Sequence, residues 1–425
     1  MKIAIVGSGI AGMTCAHLLD DKHEVHLFEA NDYLGGHTHT VEVEVAGQSY
    51  AIDTGFIVLN DRTYPNFRAL MKKVGVRWRD TEMSFSVRDP VSGLEYNGHS
   101  LNTLFAQRKN LLRPSFYRLL NGIVAFNKRA KQAHASAHLN GQTLGEFLAV
   151  QELPQAVADY YLLPMVAAIW SASIEDAAKF PLEFFLRFFE NHGLLNIADR
   201  PQWATIEGGS SAYIAPLIGH LGERVHLNSA IRQVHRQYPG RQAAVTLEFA
   251  DGRLEDFDEV ILACHSDQAL ALLATPSAAE QQVLGAIPYQ DNEVVLHTDI
   301  RLLPRERRAW ASWNYLLHSG ADAQQRPSSV TYNMNILQGI EAPETFCVTL
   351  NNTDAIQPER ILRKFTYAHP VYSVASMHAR ERREEICGVG HTHFCGAYWY
   401  NGFHEDGVRS AIDVVRRLGV EWHLA

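Results

Sequence analysis

Cysteine is scarce in this chain: five among 425 residues, Cys15, Cys264, Cys347, Cys387 and Cys395, an odd number with no Cys-X-X-Cys pair. That count argues against a disulfide framework, and a reducing cytoplasm is the expected setting. Long apolar runs are missing too. The nearest, Tyr160 to Trp170, holds Pro164 and falls short of the ~18 residues that cross a bilayer. The first residues lack secretory character, because Met1-Lys2 leads straight into an apolar strand. With a net charge of -9 the chain lacks the basic surplus of a general nucleic-acid binder. Twenty-one histidines are present, yet His37-Thr38-His39 and His391-Thr392-His393 lack the wider spacing of zinc ligands, so no metal is expected. Repeats and low-complexity tracts are absent.

One further absence is local. No Asp or Glu stands between Glu95 and Glu146, while Arg108, Lys109, Arg113, Arg118, Lys128, Arg129 and Lys131 make that stretch strongly basic. Within it Phe116, Leu119, Leu120, Ile123 and Val124 recur at helical spacing. A basic amphipathic helix can lie on an anionic membrane surface, or it can be a solvated face over a core helix. Both readings stand at this point.

What is present begins at the N-terminus. Lys2 to Val6 reads as a buried strand that breaks into Gly7-Ser8-Gly9-Ile10-Ala11-Gly12, the glycine spacing of a dinucleotide-binding turn. Gly7 permits the tight turn, Gly9 lets the backbone approach a pyrophosphate, and Gly12 lets the next helix pack close to the strand. The free N–H groups of that helix, at Ile10 and Ala11, face the phosphates. Met13 to Leu19 reads as the helix and Glu24 to Glu29 as a second strand. Glu29 ends it 17 residues beyond Gly12, where an acid, followed by Ala30, holds ribose hydroxyls and disfavours NADP. Only one such turn is present, so a second nucleotide donor site is not expected.

The run Leu34-Gly35-Gly36-His37-Thr38, which follows soon after Glu29, resembles the flavin amine oxidase and phytoene desaturase superfamily. In that family a Gly-Gly pair follows the acid, usually then Arg, where this chain has His37. Asp53-Thr54-Gly55 matches a further element of the pattern, delivered by an expected hairpin of Val41 to Val45 and Tyr50 to Ile52. The resemblance implies FAD as cofactor, held by Gly35, Gly36, His37 and Thr38 besides the opening turn. It implies an α/β fold of two domains: a Rossmann-like FAD-binding domain from residues 1–60, 205–285 and 386–425, and a mixed helical and antiparallel-sheet substrate domain from 61–204 and 286–385. A basic helical insertion is expected around residues 100–200. Ile206-Glu207-Gly208-Gly209-Ser210-Ser211 resembles the family's return motif.

Further along, Pro181 and Gly193 bracket a helix carrying Phe184, Phe185, Phe188 and Phe189, read either as plain core or as the wall of an apolar tunnel. Strands are expected at Arg224 to Leu227, Ala243 to Phe249, Arg253 to Phe257, Asp258 to Cys264, Glu293 to His297, Ser329 to Asn333 and Phe346 to Leu350. Tyr367-Ala368-His369-Pro370-Val371-Tyr372 has strong turn chemistry. Phe394-Cys395-Gly396-Ala397-Tyr398 reads as a strand ending in Gly396, a residue expected against the cofactor, and Gly402 to Ala411 opens a last helix that runs to about Leu418. By the resemblance, that helix N-terminus meets the flavin through Gly407 and Val408, with Glu405 or Asp406 as the acid toward its ribityl or phosphate. Helix N-termini stabilise the negative charge that a reduced flavin develops.

Tyr398, Trp399 and Tyr400 are candidate catalytic rings, and Glu293 stands where many amine oxidases carry Lys. The expected activity is hydride removal from a C–H bond of a hydrophobic substrate, such as an unsaturated or methylated fatty acyl chain. Electrons would pass to oxygen, a quinone or a protein. Likeness to bacterial flavoproteins encoded beside cyclopropane-fatty-acid-synthase-type methyltransferases points to lipid chemistry and to peripheral contact with the inner membrane face. Amine oxidation, and a flavin-bound scaffold or sensor docked on membrane or protein, are the alternatives.

Overall fold

Continuous apolar runs such as Ile3-Ala4-Ile5-Val6 and Val260-Ile261-Leu262 suit strands covered on both faces, which is the condition of a parallel sheet. A computed structural model, describing residues 1–135, 141–196, 199–320 and 323–423, places them accordingly. Five parallel strands run in the order Val225–His226, Glu24–Phe28, Lys2–Val6, Glu259–Leu262, Thr392–Phe394. The opening strand is central, so Ile3, Ala4 and Ile5 are fully buried. The opening helix (Ile10–Leu19) is buried on almost every side and packs against the last helix (His404–Arg417). Beside this layer lies an antiparallel sheet of Ile231–Arg236, Val245–Phe249 and Leu254–Phe257.

A second body of structure is built on a seven-stranded sheet in the order Ile361–Pro370, Tyr289–His297, Cys347–Leu350, Ser329–Asn333, Trp313–Leu316, Phe85–Arg88, Glu95–Asn97. Neighbours are antiparallel except Trp313–Leu316 with Phe85–Arg88. The hairpin Thr40–Val45 with Gln48–Asp53 packs Val43, Tyr50 and Ile52 onto Phe346 and Val348 of that sheet. Its end is tied to the return motif, because the Asp53 carboxylate accepts from the Ser210 backbone N–H at 2.8 Å, the Ser210 hydroxyl at 2.8 Å and the Thr40 hydroxyl at 2.6 Å.

Two expectations change. Tyr367 to Pro370 is not a turn: it is the end of the strand Ile361–Pro370, which pairs from Tyr289↔Pro370 to His297↔Ile361, and only Val371 and Tyr372 leave it. Proline is tolerated because this is an edge strand of the sheet. The basic helix spans Pro114–Ala135 and buries Phe116, Leu119, Phe126 and Ala130, while Leu120 and Ile123 are half-buried and Val124 is 51% exposed. Its apolar arc is narrower than the spacing suggested, since only one side of it is covered. The Phe-rich helix (Leu182–Asn191) buries all four of its phenylalanines. Among the described residues no helix is long and apolar enough to cross a membrane.

Candidate functional site

The site forms where the parallel strands end at their carboxyl sides, the position at which open α/β sheets bind ligands. The opening turn follows from its three glycines. A Cβ on Gly12 would overlap the Gly7 carbonyl, so helix and strand touch there. Gly7 itself has φ +104 and is walled by Ala263 at 3.1 Å. At Gly9, by contrast, a Cβ would meet nothing within 4 Å. Gly9 is also the N-cap of the opening helix, with no side chain capping it and no acid in the first turn. The N–H groups of Ile10, Ala11 and Gly12 therefore face an open cradle with a positive dipole end, suited to phosphate.

Glu29 is buried beside this turn, and Ala30 after it is exposed. Its carboxylate is oriented by the Ser8 backbone N–H at 3.0 Å and hydroxyl at 2.6 Å on one oxygen, and by the Asn31 backbone and side-chain N–H groups at 3.0 Å on the other. The Gly-Gly loop closes over the turn. Gly35 N–H donates to the Ser8 carbonyl at 3.2 Å, and a Cβ on Gly36 would lie 3.5 Å from the Gly9 Cα.

The last helix brings a second N-terminus to the same place. A Cβ on Gly407 would stand 2.7 Å from Ile10 Cγ2, and Val408 is fully buried beside it. The Thr38 hydroxyl, bonded to His404 Nε2 at 2.9 Å and to the Tyr213 hydroxyl, ties the Gly-Gly loop to this helix. Gly396 precedes it, with the Tyr398 ring folded over its Cα so that no Cβ fits. The two acids at this N-terminus have other work. Glu405 accepts from the backbone N–H groups of Asn66 (3.1 Å) and Phe67 (2.8 Å) and from the Asn66 amide (2.7 Å), capping the helix Pro65–Lys73. Asp406 accepts from Phe403 N–H at 2.9 Å, and burial pushes its carboxyl up to about 7.

In front of these termini lies an aromatic chamber. Trp170 meets Phe180 at 4.6 Å and Phe188 at 4.7 Å, Phe184 stacks on Tyr372 at 5.1 Å, and Phe188 stacks on Phe403 at 5.2 Å. A cavity of about 20 Å³, lined by Trp170, Phe180, Asn292, His369 and Tyr372 among others, lies at its edge. His369 belongs to a cluster of three imidazoles: His37 lies 5.4 Å from His369 and 5.8 Å from His265. Burial holds the first two down, His37 to about 4 and His369 to about 3, so His37 brings no fixed positive charge where Arg is usual. His369 Nδ1 lies within hydrogen-bonding distance of the Ser171 hydroxyl (3.1 Å) and of the Asn292 amide (3.3 Å).

The chamber holds buried donors without a partner, Trp170 Nε1, Tyr372 Oη, and Nε and Nη2 of Arg380; Tyr398 Oη and Trp399 Nε1, also unmet, are packed in the core of the parallel-sheet layer. Arg380 is 9% exposed, lies over the Tyr372 ring at 4.3 Å, and spends only Nη1 on the Tyr400 carbonyl. Such a set suits an acceptor-rich ligand, because each unmet donor costs ~1–3 kcal/mol.

The other two catalytic candidates, Tyr400 and Glu293, fall outside the chamber as well. The Tyr400 hydroxyl donates to Asp413 at 2.6 Å, and burial with that carboxylate pushes it up to about 12. Glu293 is exposed and bonded to the Thr353 hydroxyl. Strand alternation turns its neighbour Asn292 inward instead. Asn292, His369, Tyr372 and Arg380 had no sequence signal beyond the strand period at Asn292; Arg380 is lost in the charge run Arg380-Glu381-Arg382-Arg383.

Comparison with known proteins gives a consistent picture. The family model described as "Flavin containing amine oxidoreductase" matches residues 10–308. The 15-cis-phytoene desaturase of Arabidopsis thaliana is 25% identical over 298 residues, covering 65% of this chain and 50% of that protein. The chain thus spans about half the length of that relative. Among solved structures, cyclohexylamine oxidase from Brevibacterium oxydans superposes with a TM-score of 0.67 at 16% identity, covering 98% of this chain and 99% of that one. The CLA-producing fatty acid isomerase from P. acnes gives 0.67 at 16% identity, with 98% of both chains covered. These two likenesses speak for the two-domain α/β fold.

Proposed function

The chain belongs to the flavin containing amine oxidoreductase family, and from that premise we propose that it is an FAD-dependent oxidoreductase acting on a C–H bond of a hydrophobic, acid-ended substrate such as a fatty acyl chain. When bound, FAD supplies a hydride acceptor whose electrons pass on to oxygen, a quinone or a protein. The N–H groups of Ile10, Ala11 and Gly12 would hold its pyrophosphate, Glu29 its ribose, and Gly407 and Val408 its ring, with the Gly35-Gly36 loop beside the opening turn. Trp170, Phe184 and Tyr372 exclude water and align an apolar chain, which is how a protein assists hydride transfer.

One observation carries the choice of substrate: the chamber holds a buried cation, Arg380, with two of its guanidinium nitrogens, Nε and Nη2, unmet. A protonated amine would be repelled there, whereas a carboxylate would pair with the guanidinium. The phytoene desaturase and fatty acid isomerase likenesses are compatible with an apolar substrate. Anaerobic titration of the yellow protein tests the reading. Unsaturated or methylated fatty acids should bleach the flavin band, and mono- and polyamines should leave it. Bleaching by amines alone would make the protein an amine oxidase, and no bleaching by either class would favour the scaffold alternative.

A further inference from the structure

Several cations elsewhere on this protein are paired, as Arg224 is with Asp20, Arg236 with Glu280 and Arg383 with Asp413. The basic stretch behaves differently. Among the described residues Arg108, Lys109, Arg113, Arg118, Lys128 and Arg129 form no ion pair, and Lys131 is met by the Asn196 amide oxygen at 2.5 Å. The basic helix exposes Tyr117, Arg118, Asn121, Val124, Lys128 and Lys131 along one face, and no acid occurs in its 22 residues. Neighbouring elements bring acids toward this region: Asp89, Glu95 and Glu306 stand in the groove of about 530 Å³ that Arg108 and Lys109 line, and Glu183 and Glu190 lie on the helix Leu182–Asn191 that packs against the basic helix. The groove acids have their oxygens in use. Asp89 accepts from Val91 and Ser92, Glu95 from the backbone of Arg305 and Glu306, and Glu306 pairs with Arg308.

The same surface collects exposed apolar side chains: Leu101 at 77%, Leu112 at 88%, and also Leu111, Tyr117 and Val124. Tyr117 and the Leu111–Leu112 tip adjoin, because the Tyr117 hydroxyl donates to the Leu111 carbonyl at 3.1 Å and fastens the turn Arg108–Leu112 to the start of the helix. A solvated basic face would hold polar groups at these positions, and a nucleic-acid surface has no use for protruding leucines. Unpaired cations around a bare apolar tip fit the boundary of an anionic bilayer, where the cations meet headgroups and the leucines meet acyl chains. We propose that this face docks the protein on anionic lipid membranes, with Leu111 and Leu112 as the inserting tip. The proposal does not depend on the substrate assigned above.

Flotation of the flavin-loaded protein with vesicles tests it, comparing phosphatidylcholine alone with phosphatidylcholine plus phosphatidylglycerol. Binding is expected only to the anionic vesicles, and should weaken with salt. Lys109→Glu, Arg118→Glu and Lys128→Glu together should weaken it about 100-fold. Leu111→Ser with Leu112→Ser should weaken it at least about tenfold, with the melting temperature unchanged, since these leucines are already in water. The proposal is overturned if the wild-type protein stays in solution with anionic vesicles at low salt, if neutral vesicles bind it equally, or if either variant floats like the wild type.

Discussion

Gly9 and Gly12 sit three positions apart and serve opposite ends. A methyl group at Gly12 would strike the Gly7 carbonyl, whereas one at Gly9 would point into the open cradle from a backbone at φ -65 that any residue adopts. Gly9→Ala should therefore melt like the wild type but lose most of its bound flavin, and Gly12→Ala should lower the melting temperature; absorbance of the purified proteins near the flavin band, with thermal melts, distinguishes the two. Arg380 gives a second test at this scale. An unpaired buried charge costs several kcal/mol, so Arg380→Met should leave stability equal or higher. It should nonetheless raise KM for acid-ended substrates about tenfold or more while sparing neutral ones, an effect of losing a charge-assisted pair. Equal KM values for both proteins would remove Arg380 from substrate binding.

Whole elements depend on single distant side chains. The helix Pro65–Lys73 has Tyr64 before it, which caps nothing, and Glu405 supplies the missing acceptor from the last helix. Glu405→Gln, which keeps one acceptor and loses the charge, should cost about 1–2 kcal/mol and lower the melting temperature without bleaching the protein; a colourless variant of normal stability would return Glu405 to the cofactor. This role also shows what a sequence conveys. The opening strand, turn, second strand and Glu29 were legible because each is local: period, glycine spacing and a terminal acid lie within thirty residues. The last helix was legible for the same reason. The strand through Tyr367 to Pro370 was not, because its partner Tyr289–His297 lies far back in the chain and overrides local turn chemistry. Glu293 was misplaced by one step of a strand whose period is two, and that step decides between chamber and solvent. Arg380 and the cap at Glu405 are set by packing between elements, which no local pattern records.

At the scale of the molecule, buried imidazoles set the response to acid. His37, His265 and His369 are held by burial from 6.5 to about 4, 4 and 3. In the unfolded chain they take protons near the ordinary value, so between those limits the unfolded state binds more protons and stability falls as pH drops from about 6.5 toward 4. Asp53 and Asp406, pushed up to about 6 and about 7, act in the opposite sense, because there the folded state holds the extra proton. Melts across this range should show His369→Gln losing less stability on acidification than the wild type, by about 3 kcal/mol at the acid limit, and Asp406→Asn losing more. Identical profiles for all three would mean that these groups are hydrated in solution. The two helix N-termini of the cradle have another consequence, for synthesis. Cys15 touches Ala411 across 396 positions, and Ile10 faces Gly407. A nascent chain therefore exposes the opening turn tens of seconds before its other half leaves the ribosome. Cofactor cannot template the early steps of folding, and a message cut short just before the strand Thr392–Phe394 yields a pale protein whose central sheet waits, one strand incomplete, for chaperones or proteases.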